Sequence, residues 1–198
     1  EVTMTKYVDF KQGKIRYTDS GKGRVVVFLH GFLESLEMWR FYQNLPNYIR
    51  KICIDLPGHG KSDNFGYVHS MELTAEGVRA VLKNEGIRKV VVVGHSMGGY
   101  VGLAFAEIYP DMMKGLVMYF SSAAADDKEK KKNRNRAIKL VEKNKNSFVS
   151  ASIPLLFAKS IRVFLVTPSS ILSLTGAVSN VSFILKKTFI VPASSRYL

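Results

Sequence analysis

Apolar residues along the chain fall into short blocks separated by polar, glycine-bearing turns. Residues 7–10 and 14–18, divided by Gly13, read as a hairpin of two short strands. Val25-Val26-Val27-Phe28-Leu29 and Val90-Val91-Val92-Val93 are continuous apolar runs, the pattern of strands covered on both faces. Residues 49–54 form a further inner strand, stopped by Asp55-Leu56-Pro57-Gly58-His59-Gly60, and 115–120 form another.

Between these strands the period changes. Residues 36–45 predict a short helix anchored by Leu36, Trp39 and Leu45. Residues 71–85 predict a second, with Leu73, Val78, Val81 and Leu82 on one side and Gly86 as its stop. A third runs over 99–109 and ends at Pro110. Apolar strands alternating with helices give an α/β class and a mostly parallel twisted sheet flanked by helices.

The regularity ends near residue 125. Residues 126–146 predict one solvated basic helix with Ile138, Leu140 and Val141 as its apolar contacts, and 151–158 a short apolar element. Beyond 161 the chain is serine-rich and β-branched without clear alternation, so its C-terminal part is atypical or incomplete. Either 161–166 or 183–191, the latter ending at Pro192, is a candidate further strand. The expected organisation is therefore 1–125, the N-terminal part of the core; 126–158, a helical segment; and 159–198, an atypical tail. Residues 163–185 contain no charge, but Pro168, several serines and Asn180 make them a poor membrane span.

The formal charge of +13 is unevenly spread. Residues 1–125 carry fifteen Lys/Arg against twelve Asp/Glu, 126–158 nine against four, and 159–198 five against none. The basic run lacks aromatic interleaving, so no nucleic-acid partner is expected from it. One cysteine, Cys53, excludes an intramolecular disulfide framework, and the four histidines (30, 59, 69 and 95) form no metal-binding pair. No metal or other cofactor is expected. No N-terminal stretch reads as a signal peptide, and a cytoplasmic location is expected. A chain that starts on Glu1 also suggests that it does not begin at its natural initiator.

Chemistry concentrates in Gly94-His95-Ser96-Met97-Gly98-Gly99, between a four-valine strand and a helix. A serine on so tight a strand-to-helix turn sits at strained angles, and side chains at 94 or 98 would crowd it. The turn lifts the Ser96 hydroxyl above the sheet, where the helix N-terminus favours developing negative charge. His30-Gly31-Phe32 ends an earlier inner strand, and N–H groups of Phe32 and Met97 together would make an oxyanion hole. His30 reads as structural, and His95 should point away from its neighbour Ser96.

These stretches, with Asp55-Leu56-Pro57-Gly58-His59-Gly60-Lys61-Ser62-Asp63, resemble the α/β-hydrolases, in particular small esterase- and lipase-like members that include carboxylesterases and C–C bond hydrolases. The resemblance spans about residues 7–158. It implies Ser96 as nucleophile, Phe32 and Met97 as oxyanion donors, and Phe32, Leu33 and Trp39 along an acyl pocket. It also implies a small-molecule acyl substrate cleaved through an acyl-enzyme, and a helical cap beginning in the basic stretch. Ser96 argues against epoxide hydrolases and haloalkane dehalogenases, which usually place Asp there.

The same resemblance calls for an acid and then a histidine downstream of the nucleophile. Here no acid follows Glu142 and no histidine follows His95. Asp126, just after the fourth inner strand, is the acid candidate; no convincing base is present. The sequence thus fits a truncated hydrolase, a chain from which residues are missing, or an inactive scaffold with a binding role. It leaves the oligomeric state open.

Overall fold

The computed structural model describes residues 3–42, 46, 48–152 and 188–192, and the side chains of 145, 151, 152 and 188–192 fall outside that description. Two compact units divide the chain, Glu1–Ala123 with Lys187–Leu198, and Ala124–Lys186.

The apolar runs become the middle of one seven-stranded sheet. Its strands are β1 (Met4–Phe10), β2 (Gly13–Ser20), β3 (Arg24–Leu29), β4 (Ile49–Ile54), β5 (Val90–His95), β6 (Met113–Tyr119) and β7 (Thr188–Pro192). The order is β1-β2-β4-β3-β5-β6-β7. The four inner strands are mutually parallel, whereas β1, β2 and β7 join antiparallel. The strand expected within 183–191 is realised as β7, paired to β6 from Tyr119↔Thr188 to Gly115↔Pro192. The alternative at 161–166 lies outside the described residues, as do 153–158 and the uncharged stretch 163–185. Among the described residues no helix is long and apolar enough to cross a membrane.

Strand alternation sorts side chains onto two faces. Val27, Leu29, Ile52, Ile54, Ile15 and Tyr17 share a buried cluster with helices α1 (Met71–Asn84) and α2 (Met97–Ile108). Full burial of a side chain such as Val81 or Leu82 contributes about 1.5–3 kcal/mol. Ser70 starts α1 by accepting the Leu73 N–H at 3.1 Å. On the other face Phe28 and Cys53 meet Leu36 and Trp39.

Those last two residues belong to a 3-10 turn, Leu36–Tyr42, where an ordinary helix over 36–45 was expected. The aromatic-rich segment has poor α propensity, and residues 43–45, with the expected anchor Leu45, lie outside the described residues. Beside the sheet edge, Asp19 takes Arg50 at 2.7 Å and Lys6 at 2.8 Å, and Glu85 takes the Tyr17 hydroxyl at 2.6 Å. Burial pushes the Asp19 carboxyl up, but the two cations outweigh it and hold it at about 2.

The second unit contains α3 (Lys128–Lys143) and α4 (Lys145–Ser152) in place of the single helix expected over 126–146. Asn144 is extended at φ −161°, and its side-chain oxygen accepts the Ser147 N–H at 3.1 Å. This local side-chain bonding competes with a continuous helix. Asp127 caps α3 through the Lys130 N–H at 2.7 Å. Ile138 and Leu140 are exposed and Val141 half-buried, so the apolar contacts expected of them are at most partial.

Candidate active site

The chain leaves β3 for β4 on one side and returns through α1 to β5 on the other, so the order reverses at β3. Open α/β sheets bind ligands at the carboxyl ends of their strands at such a switch point. Both stretches singled out for chemistry emerge there: Gly31-Phe32-Leu33 follows β3, and Ser96 follows β5.

Backbone strain gathers at the same edge. Four described non-glycine residues have positive φ, and three of them follow parallel strands: Leu33 (61°) after β3, Ser96 (49°) after β5 and Phe120 (48°) after β6. Each such residue costs about 1–3 kcal/mol and persists only where its surroundings enforce it.

The surroundings of Ser96 are specific. Its N–H donates to the Tyr119 carbonyl at 3.0 Å, and its carbonyl accepts the Gly99 N–H at 3.0 Å and the Ser121 hydroxyl at 2.8 Å. A Cβ on Gly94 would stand 2.3 Å from the Gly98 carbonyl oxygen, and one on Gly98 2.3 Å from that of Leu29. Only glycine lets strand, turn and helix approach so closely. Ser96 itself is half-buried, and Met97 opens α2, where N–H groups lack intrahelical acceptors.

A carboxylate joins the two stretches. Glu34 Oε2 accepts the Gly31 N–H at 2.5 Å and meets His95 Nδ1 at 2.8 Å. Burial opposes ionisation of Glu34, but the His95 bond, with the Gly31 N–H, keeps its carboxyl below the usual value. Glu34 thereby ties the segment bearing Phe32 to the segment bearing Ser96. The sequence reading missed both Glu34 and Ser121. The only available signal for Glu34 was an acid three residues beyond Gly31.

Every histidine ring is engaged. Leu56 N–H donates to His30 Nε2 at 2.9 Å, which leaves the ring proton on Nδ1, 2.7 Å from the Gly31 carbonyl. Burial lowers the His30 pKa to about 4, so the ring is neutral and structural near pH 7. His59 Nδ1 lies 3.1 Å from the Pro57 carbonyl, and His69 Nε2 accepts the Phe65 N–H at 3.1 Å. His95 faces Glu34.

Asp55, wholly buried, is an anchor. It accepts the Leu36 N–H at 2.7 Å, the Lys61 N–H at 2.9 Å and Arg16 Nη1 at 3.2 Å. Of the residues expected along an acyl pocket, Phe32 and Leu33 are exposed at 54% and 53%. Trp39 is instead a core residue, 2% exposed and 5.0 Å from the Phe28 ring. Asp126 lies in the second unit, ion-paired with Arg134. Among the described residues no group of three His, Cys, Asp or Glu side chains could hold a metal ion.

A sheet that reverses order at β3, with a strained serine turn at the switch point, defines an α/β class of protein. The family model of the alpha/beta hydrolase fold matches residues 24–174, and the chain belongs to that family. Over 129 residues it is 36% identical to a 2-hydroxy-6-oxononadienedioate/2-hydroxy-6-oxononatrienedioate hydrolase of Paraburkholderia phymatum, covering 60% of this chain and 45% of that one. Over 119 residues it is 32% identical to Epoxide hydrolase 1 of Caenorhabditis elegans, covering 57% of this chain and 29% of that one. The chain therefore spans less than half the length of these curated relatives. Among solved structures, a thermophilic esterase from Thermogutta terrifontis aligns with a TM-score of 0.69 and 30% identity, over 81% of this chain and 61% of that one.

Proposed function

We propose that the chain acts as a serine-type hydrolase on carboxylic esters or related small acyl compounds. The observation that carries this reading is the Ser96 backbone, strained at φ 49° and ψ −112° where β5 meets α2 at the switch point of the sheet. In this reading the Ser96 hydroxyl oxygen attacks the substrate carbonyl carbon while the hydroxyl proton passes to solvent water, which returns a proton to the leaving alcohol. Negative charge moves to the carbonyl oxygen, where the Phe32 and Met97 N–H groups stabilise it. Collapse expels the alcohol and leaves an acyl group on Ser96, and water then releases the acid. No step calls for a cofactor. The likeness to the Thermogutta esterase supports the ester class, and the hydroxyl at 96 separates this chemistry from attack by a carboxylate.

With no histidine bonded to Ser96, the oxyanion donors and binding alone give about 10³–10⁴-fold acceleration over water. Hydrolysis of a p-nitrophenyl ester by the chain tests this: the expected result is a burst of acylation that Ser96→Ala abolishes, and identical progress curves for the two chains overturn it. A second reading, an inactive scaffold with a binding role, is favoured by the engagement of all four imidazoles elsewhere. A folded chain that shows no burst supports it.

A further inference from the structure

The basic helix α3 plays no part in the chemistry proposed for Ser96. It carries eight Lys/Arg against two Glu. Ala137 and Val141, four apart and so on one side, are half-buried; every other residue of the helix is exposed, and α4 packs against it. Helical spacing gathers Lys128, Lys131, Lys132, Asn135, Arg136 and Lys139 on the opposite side, where they line one open surface. Five cations and no carboxylate stand there.

The stability of the helix does not account for this arrangement. Lys128 and Lys132, then Lys132 and Arg136, are like charges four residues apart, and such pairs repel. Lys128, Lys130 and Lys131 occupy the first turns, where the helix dipole disfavours cations; the Asp127 cap and Glu129 offset only part of that. Arg134, on another side, pairs with Asp126, whereas among the described residues none of the five cations is ion-paired. A face that served only to dissolve the chain would intersperse both signs of charge. One sign alone calls for a negative partner.

The borders of the face distinguish between polyanions. Ile138, seven residues after Lys131, and Leu140, four after Arg136, flank it and are 56% and 40% exposed. Aliphatic side chains beside cations suit the boundary between lipid headgroups and acyl chains. The helix has no aromatic ring on which a nucleic-acid base could stack.

We propose that α3 docks on an anionic phospholipid surface, with Lys128, Lys131, Lys132, Arg136 and Lys139 on the headgroup phosphates and Ile138 and Leu140 at the acyl boundary. Long lysine and arginine stems let the charged ends reach phosphate while the aliphatic side chains enter the interface. The helix lies on the bilayer and does not span it, as its charge requires.

The intact chain is sedimented with vesicles of phosphatidylcholine containing about 30% phosphatidylserine, and with pure phosphatidylcholine as reference. Half of the chain is expected to bind the anionic vesicles by about 1 mM lipid at about 0.1 M salt, and about 0.5 M salt releases it. Lys132→Glu combined with Lys139→Glu puts each new carboxylate four residues before a cation, Arg136 or Lys143, which favours the helix. Helicity by circular dichroism therefore holds in that double variant while vesicle binding falls at least about twentyfold. Ile138→Ala weakens binding about threefold. Equal binding to the neutral vesicles, no binding to the anionic ones, unchanged affinity in either variant, or tighter binding to mixed-sequence duplex DNA at equal phosphate overturns the proposal.

Discussion

After β4 the chain places its positive φ values on Gly58 and Gly60, at 75° and 58°, whereas after β5 it places one on Ser96, at 49°. Both turns leave the same edge of the sheet. The first closes around Asp55, whose two oxygens serve Leu36, Lys61 and Arg16, and its tight curvature falls where no side chain resists it. The second keeps a hydroxyl-bearing residue in a conformation that costs stability, and recovers that cost from the Tyr119, Gly99 and Ser121 contacts. The contrast separates a turn built for stability from one built to present an atom.

Removing the central polar side chain, Asp55 or Ser96, should therefore act with opposite sign at the two turns. Asp55→Ala strips a buried guanidinium of one partner and two N–H groups of their acceptor, for an expected loss of about 3–5 kcal/mol by chemical denaturation. Acid should weaken the same turn through His30, which bonds Leu56 and packs 5.3 Å from His59. Its pKa falls from 6.5 to about 4 in the folded chain, so between those values the unfolded chain binds a proton that the native ring refuses. Stability is expected to drop by up to about 3 kcal/mol as pH falls from 6.5 to 4, with no further His30 contribution below that. An unfolding series with His30→Gln, which should flatten that slope, checks it.

At the serine turn, Gly98→Ala drives a Cβ to 2.3 Å from the Leu29 carbonyl oxygen and should cost about 1–3 kcal/mol. The smallest change is the most diagnostic. Ser96→Gly relieves the backbone and should raise stability by about 1 kcal/mol while removing the reactive hydroxyl. A loss of stability on that substitution would erase the distinction between the turns.

Much of this arrangement was legible in local pattern. Four consecutive valines need cover on both faces, and Gly-x-Ser-x-Gly between such a strand and a helix restricts the turn sterically, so both survive without tertiary information. Long-range choices were not legible. Glu34 gains its role only when folding brings it to His95, 61 residues away in the chain. Arg16 stands between apolar Ile15 and Tyr17, the pattern of an open strand face, yet the 3-10 turn covers it and Glu37 of that turn pairs with it. The division of the basic helix at Asn144 depends on a side-chain bond that hydrophobic period does not register.

The most direct measurement is the site of covalent labelling by a fluorophosphonate, read by peptide mapping of the purified chain. The account predicts a single adduct on Ser96 that is absent from Ser96→Ala. A chain that is folded by circular dichroism, yet gains no adduct or carries it on another residue, would contradict it.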